Sequence, residues 1–249
     1  MLGIQVSIGA LNDLVDEPND TRQKPRKPIP SGLVGRRAAW VVVVLGGGAG
    51  LTLSAVSGWA TAIAAVGCLG LGYAYDLRLS RTALSWLPLS LALPLLPIHA
   101  WLGAIDTIPA GLVTLVPIGV LGGGGLALAN GLVDVERDAR SGRRAVAVAL
   151  GRNRTWLAQT VALTIAALLA VFLVPGVAAA SPGAAAGTLV ALRTAGVVLG
   201  IGLIALGSAC LAASRPGVRE RGWELEAVGV AALGLGWLAG VAAAVGAAG

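Results

Sequence analysis

AAWVVVVLGGGAGLTLSAVSGWATAIAAVGCLGLGYAY, residues 38–75, runs for 38 residues without an Asp, Glu, Lys or Arg. A helix that crosses the roughly 30 Å hydrocarbon core of a bilayer needs about 20 apolar residues. The run is therefore long enough for two spans, and Ser57 and Gly58 near its middle mark where the chain folds back. Five further charge-free windows follow, at 82–105, 107–133, 155–192, 194–214 and 227–249. The third of these holds one helix and then the Pro/Gly/Ser-rich stretch PGVAAASPGAAAG (175–187), which brings the count to seven full spans. Residues 1–11 are apolar as well, but eleven residues of helix reach only about 16 Å, so they form a partial helix.

Composition agrees with the windows. Of 249 residues, 56% are apolar and 12% charged, about half the charged share of a soluble domain. The 37 glycines are scattered among Val, Leu and Ala with no triplet period, which excludes a collagen-like or disordered chain. The fold class is all-α: a polytopic transmembrane helix bundle of seven full spans plus a partial N-terminal helix, in a single membrane-embedded domain covering 1–249.

Charge sets the orientation. Segments 12–37, 76–83, 131–154 and 214–226 carry 17 of the 18 basic residues, and the intervening connections carry only Arg193. By the positive-inside rule these four segments are cytoplasmic loops and the C-terminus lies outside. Trp40, Trp59, Trp86, Trp101, Trp156 and Trp223 fall near span ends, where an amphipathic ring sits well; Trp237 is mid-span. The net charge of +6 is confined to these membrane-flanking segments without stacking aromatics, so it indicates topology rather than nucleic-acid binding. Cys68 and Cys210 match no metal spacing, and they read as packing residues, as does His99.

Eight of the twelve acidic residues gather at one predicted membrane face: Asp13, Asp16, Glu17 and Asp20, then Asp76, then Asp134, Glu136 and Asp138. In NDLVDEPND (12–20) the three-to-four spacing lines up Asn12, Asp13, Asp16 and Asp20 on a helical exit from the membrane. Pro18 is expected to kink or end that helix near Glu17, leaving Asp20 on the loop. NGLVDVERD (130–138) has no such break and places Asn130, Asp134 and Asp138 four apart on one stripe. Either cluster alone reads equally well as solvated charge balanced by nearby Arg and Lys. Two acidic stripes across a helix bundle, however, repel unless cations lie between them. Oxygen ligands of this kind suit Mg²⁺, which takes one or two carboxylates and fills its shell with water and phosphate oxygens. The adjacent Arg and Lys then serve as phosphate clamps. Residue chemistry alone thus points to a membrane enzyme that binds a diphosphate through metal.

At these residues the chain resembles the UbiA superfamily of intramembrane prenyltransferases. Three motifs occur in the family's order: NDxxDxxxD in Asn12, Asp13, Asp16 and Asp20; KPIPSG at Lys27–Gly32, where the family has RPIPSG; and DxxxD in Asp134 and Asp138, followed by SGRRAVAVALG. YDLRLSRT (75–82) is similar to the family's Tyr followed by a Lys-Arg pair, with Tyr75 and Arg81 kept, Ser80 in place of Lys, and Arg78 available to replace the charge. Ala145 stands where the family often has Thr. The family's first helix and most of its second have no counterpart, so the resemblance implies an N-terminally incomplete domain, inactive or unstable alone and rescued by upstream sequence.

The resemblance implies transfer of a polyprenyl group from its diphosphate to an acceptor, an aromatic quinone-type or other lipid precursor, with Mg²⁺ as cofactor. It assigns Asp13, Asp16, Asp134 and Asp138 to catalysis and, with Asp20, to metal binding. Asn12, Lys24, Lys27, Tyr75, Arg78, Arg81, Asn130 and Arg144 are implied to bind the diphosphate. The prenyl tail would lie among small Gly and Ala side chains. CDP-alcohol phosphatidyltransferases also use carboxylates and metal but carry a DGxxAR signature absent here. A non-catalytic or truncated protein of the same fold, or a transporter, is the other alternative; transporters place ionisable residues or broken helices at mid-membrane, whereas these carboxylates lie at helix ends. The preference for 16 Arg over 2 Lys, with abundant Ala, Gly and Val, suggests a high-GC bacterium and its plasma membrane.

Overall fold

The structure is a computed structural model that describes residues 1–105, 108, 110–173 and 184–246. Its long helices are α1 (Leu2–Gln23), α2 (Arg36–Val56), α3 (Trp59–Leu77), α4 (Leu87–Ile105), α6 (Leu115–Arg140), α8 (Arg152–Phe172), α9 (Ala184–Leu211) and α10 (Pro216–Gly246); α5 (Ala110–Val113) and α7 (Val146–Leu150) are short. Among the described residues seven helices are long and apolar enough to cross a membrane, and the chain is a polytopic membrane helix bundle. The chain folds back between α2 and α3 at Gly58, whose φ of 135° is a backbone state that disfavours side chains. The connection around Asp106 and most of the 175–187 stretch, including Gly183, lie outside the described residues.

Two compact units divide the chain: residues 1–80 with 95–108, and residues 81–94 with 109–249. In the first unit, α1 buries Ile4, Ser7, Leu11 and Leu14, a spacing of three and four that keeps them on one stripe. Glycines let backbones meet there: a Cβ at Gly3 would stand 2.6 Å from the Gly46 carbonyl oxygen, and one at Gly50 would stand 2.6 Å from Ile4. Ser7 Oγ donates to the Val43 carbonyl at 2.7 Å, so the Tyr73 hydroxyl, also 2.7 Å away, is the donor to Ser7. Ser54 Oγ donates to Gly50 and lies 2.9 Å from His99 Nε2, which gives that histidine a polar partner inside an apolar run.

In the second unit α6 is the central element. Four consecutive glycines, Gly122–Gly125, are buried in it, although each costs about 1 kcal/mol against Ala in a helix interior. Their lack of side chains is what the packing uses. A Cβ at Gly123 would overlap the Leu89 carbonyl, one at Gly124 would come within 2.9 Å of Ser90 Oγ, and one at Gly125 within 2.6 Å of Leu163. Ser90 Oγ closes this contact by donating to the Val120 carbonyl at 2.6 Å. α9 and α10 pair through a second glycine ladder, Gly196 against Gly236, Gly200 against Gly229, and Gly207 against Gly222. Close backbone approach of this kind is what drives helix association in lipid, where burying apolar surface gains little.

Two sequence expectations need correction. α1 does not stop at Pro18 but continues to Gln23, so Asp20 is on the helix. A proline inside a helix loses the bond its own N–H would have made and crowds the Leu14 carbonyl, yet the helix goes on and its last turn is closed by Lys24 N–H donating to the Asp20 carbonyl at 2.7 Å. The basic segments are also largely helical rather than loops: α6 runs on to Arg140 and α10 begins at Pro216. Charges at these helix ends find partners, so they need not leave the helix to be satisfied.

Candidate active site

The first carboxylate motif is built by α1 and the turn that follows it. Pro25, Pro28 and Pro30 fix φ along that turn. Backbone bonds from Ser31 to Lys27, Gly32 to Ile29 and Val34 to Pro28, each 3.0 Å, wind it tightly. Ile29 is buried against Leu11, Leu14, Ala39 and Val43 and so pins the KPIPSG turn onto α1 and α2. Lys27, two residues earlier, is thereby held beside the helix: its Nζ lies 2.8 Å from Asp13 Oδ1 and 2.6 Å from Asp20 Oδ2. Burial alone would lower the Lys27 pKa, but hydrogen bonds to Asp13 and Asp20 and their charges outweigh it and raise it above its usual 10.5. Glu17 pairs with Arg36. Asn12 Nδ2 donates to Asp76 Oδ1 at 2.9 Å, which ties α1 to the buried acid on α3. Asp16 is half-buried on the same helix; Lys24 is exposed at its end, Tyr75 is half-buried on α3, and Arg78 is exposed just past it.

The second motif is the C-terminal end of α6. Ser141 N–H donates to the Arg137 carbonyl and Arg143 N–H to the Asp138 carbonyl, both at 3.0 Å, across Gly142 at φ 74°. That is the left-handed conformation glycine supplies at a helix end. The reversal brings Arg143 to 3.8 Å from Asp138. Asp134 pairs with Arg137 three residues on, and Glu136 pairs with Arg219 of α10. Asn130 and Arg144 are exposed, and Ala145, Val146 and Ala147 are buried, with Val146 N–H donating to Ser85 Oγ at 3.2 Å. Arg81, exposed, ends a 3-10 turn at Leu79–Arg81.

The donor chemistry fits a hard divalent cation. Carboxylate oxygens on α1 already close on one positive charge, the Lys27 ammonium, at 2.6 and 2.8 Å. Among the described residues no three carboxyl, thiol or imidazole groups gather closely enough to hold an ion by themselves. Mg²⁺ asks for no such cage, since it binds through one or two carboxylates and keeps water and phosphate oxygens for the rest.

Sequence reasoning assigned no role to three buried groups. Arg219 and Glu226 of α10 are fully buried, the latter accepting a 2.7 Å hydrogen bond from Ser208 Oγ of α9, and Asp76 holds Asn12. The available signal was their position: each stands one or a few residues from a charge-free window.

The fold and these residues define a polytopic membrane helix bundle that carries carboxylates, Arg and Lys at helix ends. The sequence matches the UbiA prenyltransferase family over residues 1–205, and the chain belongs to that family. Family membership carries transferase activity in general. The fold is similar to the apo structure of a UbiA homolog from Aeropyrum pernix K1, with TM-score 0.68 and 20% identity over 95% of this chain and 85% of that one. It is also similar to a UbiA homolog from Archaeoglobus fulgidus, with TM-score 0.63 and 17% identity over 97% and 83%. A third likeness is to a structure described as giving insight into digeranylgeranylglyceryl phosphate synthase in membranes, with TM-score 0.60 and 17% identity over 98% and 82%. No protein of curated function matches the sequence.

Proposed function

We propose that the chain is a membrane-integral, Mg²⁺-dependent prenyltransferase that moves a polyprenyl group from its diphosphate to an aromatic quinone-type or other lipid precursor, with its carboxylates facing the cytoplasm. The observation that carries this reading is the Lys27 bridge: two motif carboxylates hold a cation in a family whose reaction expels diphosphate. Heterolysis of the allylic carbon–oxygen bond leaves the electron pair on diphosphate. The allylic cation takes an electron pair from the acceptor, which then loses a proton.

In this reading Asp13, Asp16 and Asp20 on α1, and Asp134 and Asp138 on α6, hold Mg²⁺. Two ions, one at each motif, would supply the charge stabilisation that dominates such reactions. Lys24, Lys27 and Arg144 bind outer phosphate oxygens, and Asn12, Tyr75, Arg78, Arg81 and Asn130 complete the diphosphate contacts. Cytoplasmic orientation is supported by the distribution of Arg and Lys.

The test is Asp16→Asn and Asp134→Asn, each in the full chain in membranes. Neither change alters packing volume, so both proteins should insert normally and lose transfer by about 100-fold or more. EDTA should abolish activity and added Mg²⁺ restore it. Mass spectrometry of lipids from a host with and without the gene should identify the prenylated product. Full activity in both variants would overturn the metal assignment.

A further inference from the structure

We propose that Arg219 is a positioning residue for the second carboxylate motif, acting from α10 through Glu136 to fix the direction in which α6 presents Asp134 and Asp138. This rests on the reading of Asp134 and Asp138 as metal-binding carboxylates. Three observations carry it.

Arg219 is fully buried, with a side-chain exposure of 0%, and its guanidinium reaches Glu136, the Val133 carbonyl at 3.5 Å and the Ser214 carbonyl at 3.3 Å. Two of these three partners belong to α6, and they flank Asp134. Next, Arg137, which pairs with Asp134, belongs to α6 itself, so that pair moves with the helix end and cannot set its rotation, whereas Arg219 belongs to a different helix. The third observation is angular. At about 100° per residue, Asp134 and Asp138 lie about 40° apart, and Glu136 points about 160° away from either. A clamp on the back of the helix therefore decides where its front faces. The apolar contacts of Ala129, Leu132 and Leu211 with Val133, Trp156 and Trp223 hold the same stretch of α6 by packing alone. The glycine face at Gly122–Gly125 seats the helix further along, and the bond to Glu136 together with the Val133 carbonyl fixes the direction of its last turns.

The experiment is Mn²⁺ titration, read by the electron paramagnetic resonance of free Mn²⁺, on the purified full chain in neutral phosphatidylcholine nanodiscs, with thermal stability of the metal-free protein measured alongside. Asp134→Asn should remove Mn²⁺ binding at this motif. Arg219→Gln should weaken it on the order of 10-fold, the effect typical of losing a group that orients a metal ligand. Arg219→Lys should fall between Arg219→Gln and wild type, because one ammonium cannot serve Glu136 and two carbonyls at once. A purely structural role would lower the melting temperature and leave the affinity of the folded fraction unchanged. If Asp134→Asn binds Mn²⁺ as wild type does, the metal assignment itself is wrong. If Asp134→Asn loses binding while Arg219→Gln, or Arg219→Lys should the glutamine variant not fold, keeps wild-type affinity, Arg219 does not position the motif.

Discussion

The two carboxylate motifs are neutralised in opposite ways. On α1 one lysine serves two carboxylates, Asp13 and Asp20, from a turn of the chain beyond the helix. On α6 the acids pair with different arginines: Asp134 with Arg137, Glu136 with Arg219, Asp138 with Arg143. A shared cation concentrates the electrostatic dependence of a site in one residue, and separate pairs distribute it. The first motif should thus respond sharply to a single substitution, while the second should respond in graded steps set by how buried each pair is.

The sharpest way to test that contrast is Lys27→Glu. It replaces the shared cation with a third carboxylate beside Asp13 and the buried Asp20. The metal-free protein should lose about 2–4 kcal/mol, below the largest buried-pair costs because Lys27 and Asp13 are partly exposed. Saturating Mg²⁺ should recover much of this in thermal unfolding. No recovery with metal would mean that the motif holds lysine for structure alone.

Within the second motif, the buried pair should behave asymmetrically. Glu136→Gln strands the fully buried Arg219 without a countercharge and should cost about 2 kcal/mol. Arg219→Gln leaves Glu136, whose side chain is 50% exposed, free to reach water, so its smaller cost of about 1 kcal/mol comes from the lost bonds to the Val133 and Ser214 carbonyls. Equal losses in chemical denaturation would contradict the burial argument.

Alkaline pH tests the shared cation of the first motif. The Lys27 pKa is raised on folding, so its contribution is fully present below its ordinary value of 10.5 and is lost as pH rises through the higher folded value. The wild type should therefore keep this contribution up to about pH 10 and lose stability above it, and Lys27→Met should lack that step. The smallest effect should come from Arg137→Ala, which breaks a partly exposed pair between neighbouring turns and should change stability by about 0.5 kcal/mol or less.

How much of this could be read in advance follows from what a charge-free window measures. The seven spans, the turn at Gly58 and the placement of Asn12, Asp13 and Asp16 on one helix, and of Asn130, Asp134 and Asp138 on another, all follow from residue spacing. Pro18 misleads because a proline signals a lost hydrogen bond and cannot reveal that the following turn is closed by Lys24. Arg219 and Glu226 mislead for a related reason. A charge in sequence marks the edge of a span only when water is its partner, and here Glu136 and Ser208 take that place. Asp76 likewise ends a window by type, yet Asn12 holds it inside. Sequence spacing gives the face a side chain shares; it does not give the partner that lets the chain bury it.

The hydrogen bond between Ser208 and Glu226, set beside the glycine ladder of α9 and α10, bears on how the chain is inserted during synthesis. An ionisable side chain within a span costs free energy on entry into the bilayer, up to about 2.5–3.5 kcal/mol at the helix centre and less toward its ends. α10 carries such a group, and α9, uncharged apart from Arg193, carries the hydroxyl that donates to it. The later helix is then a poor candidate to leave the translocation channel by itself and a good one to leave it as a hairpin with its predecessor. Biogenesis of this part of the membrane domain would be paced by pairs of helices emerging together.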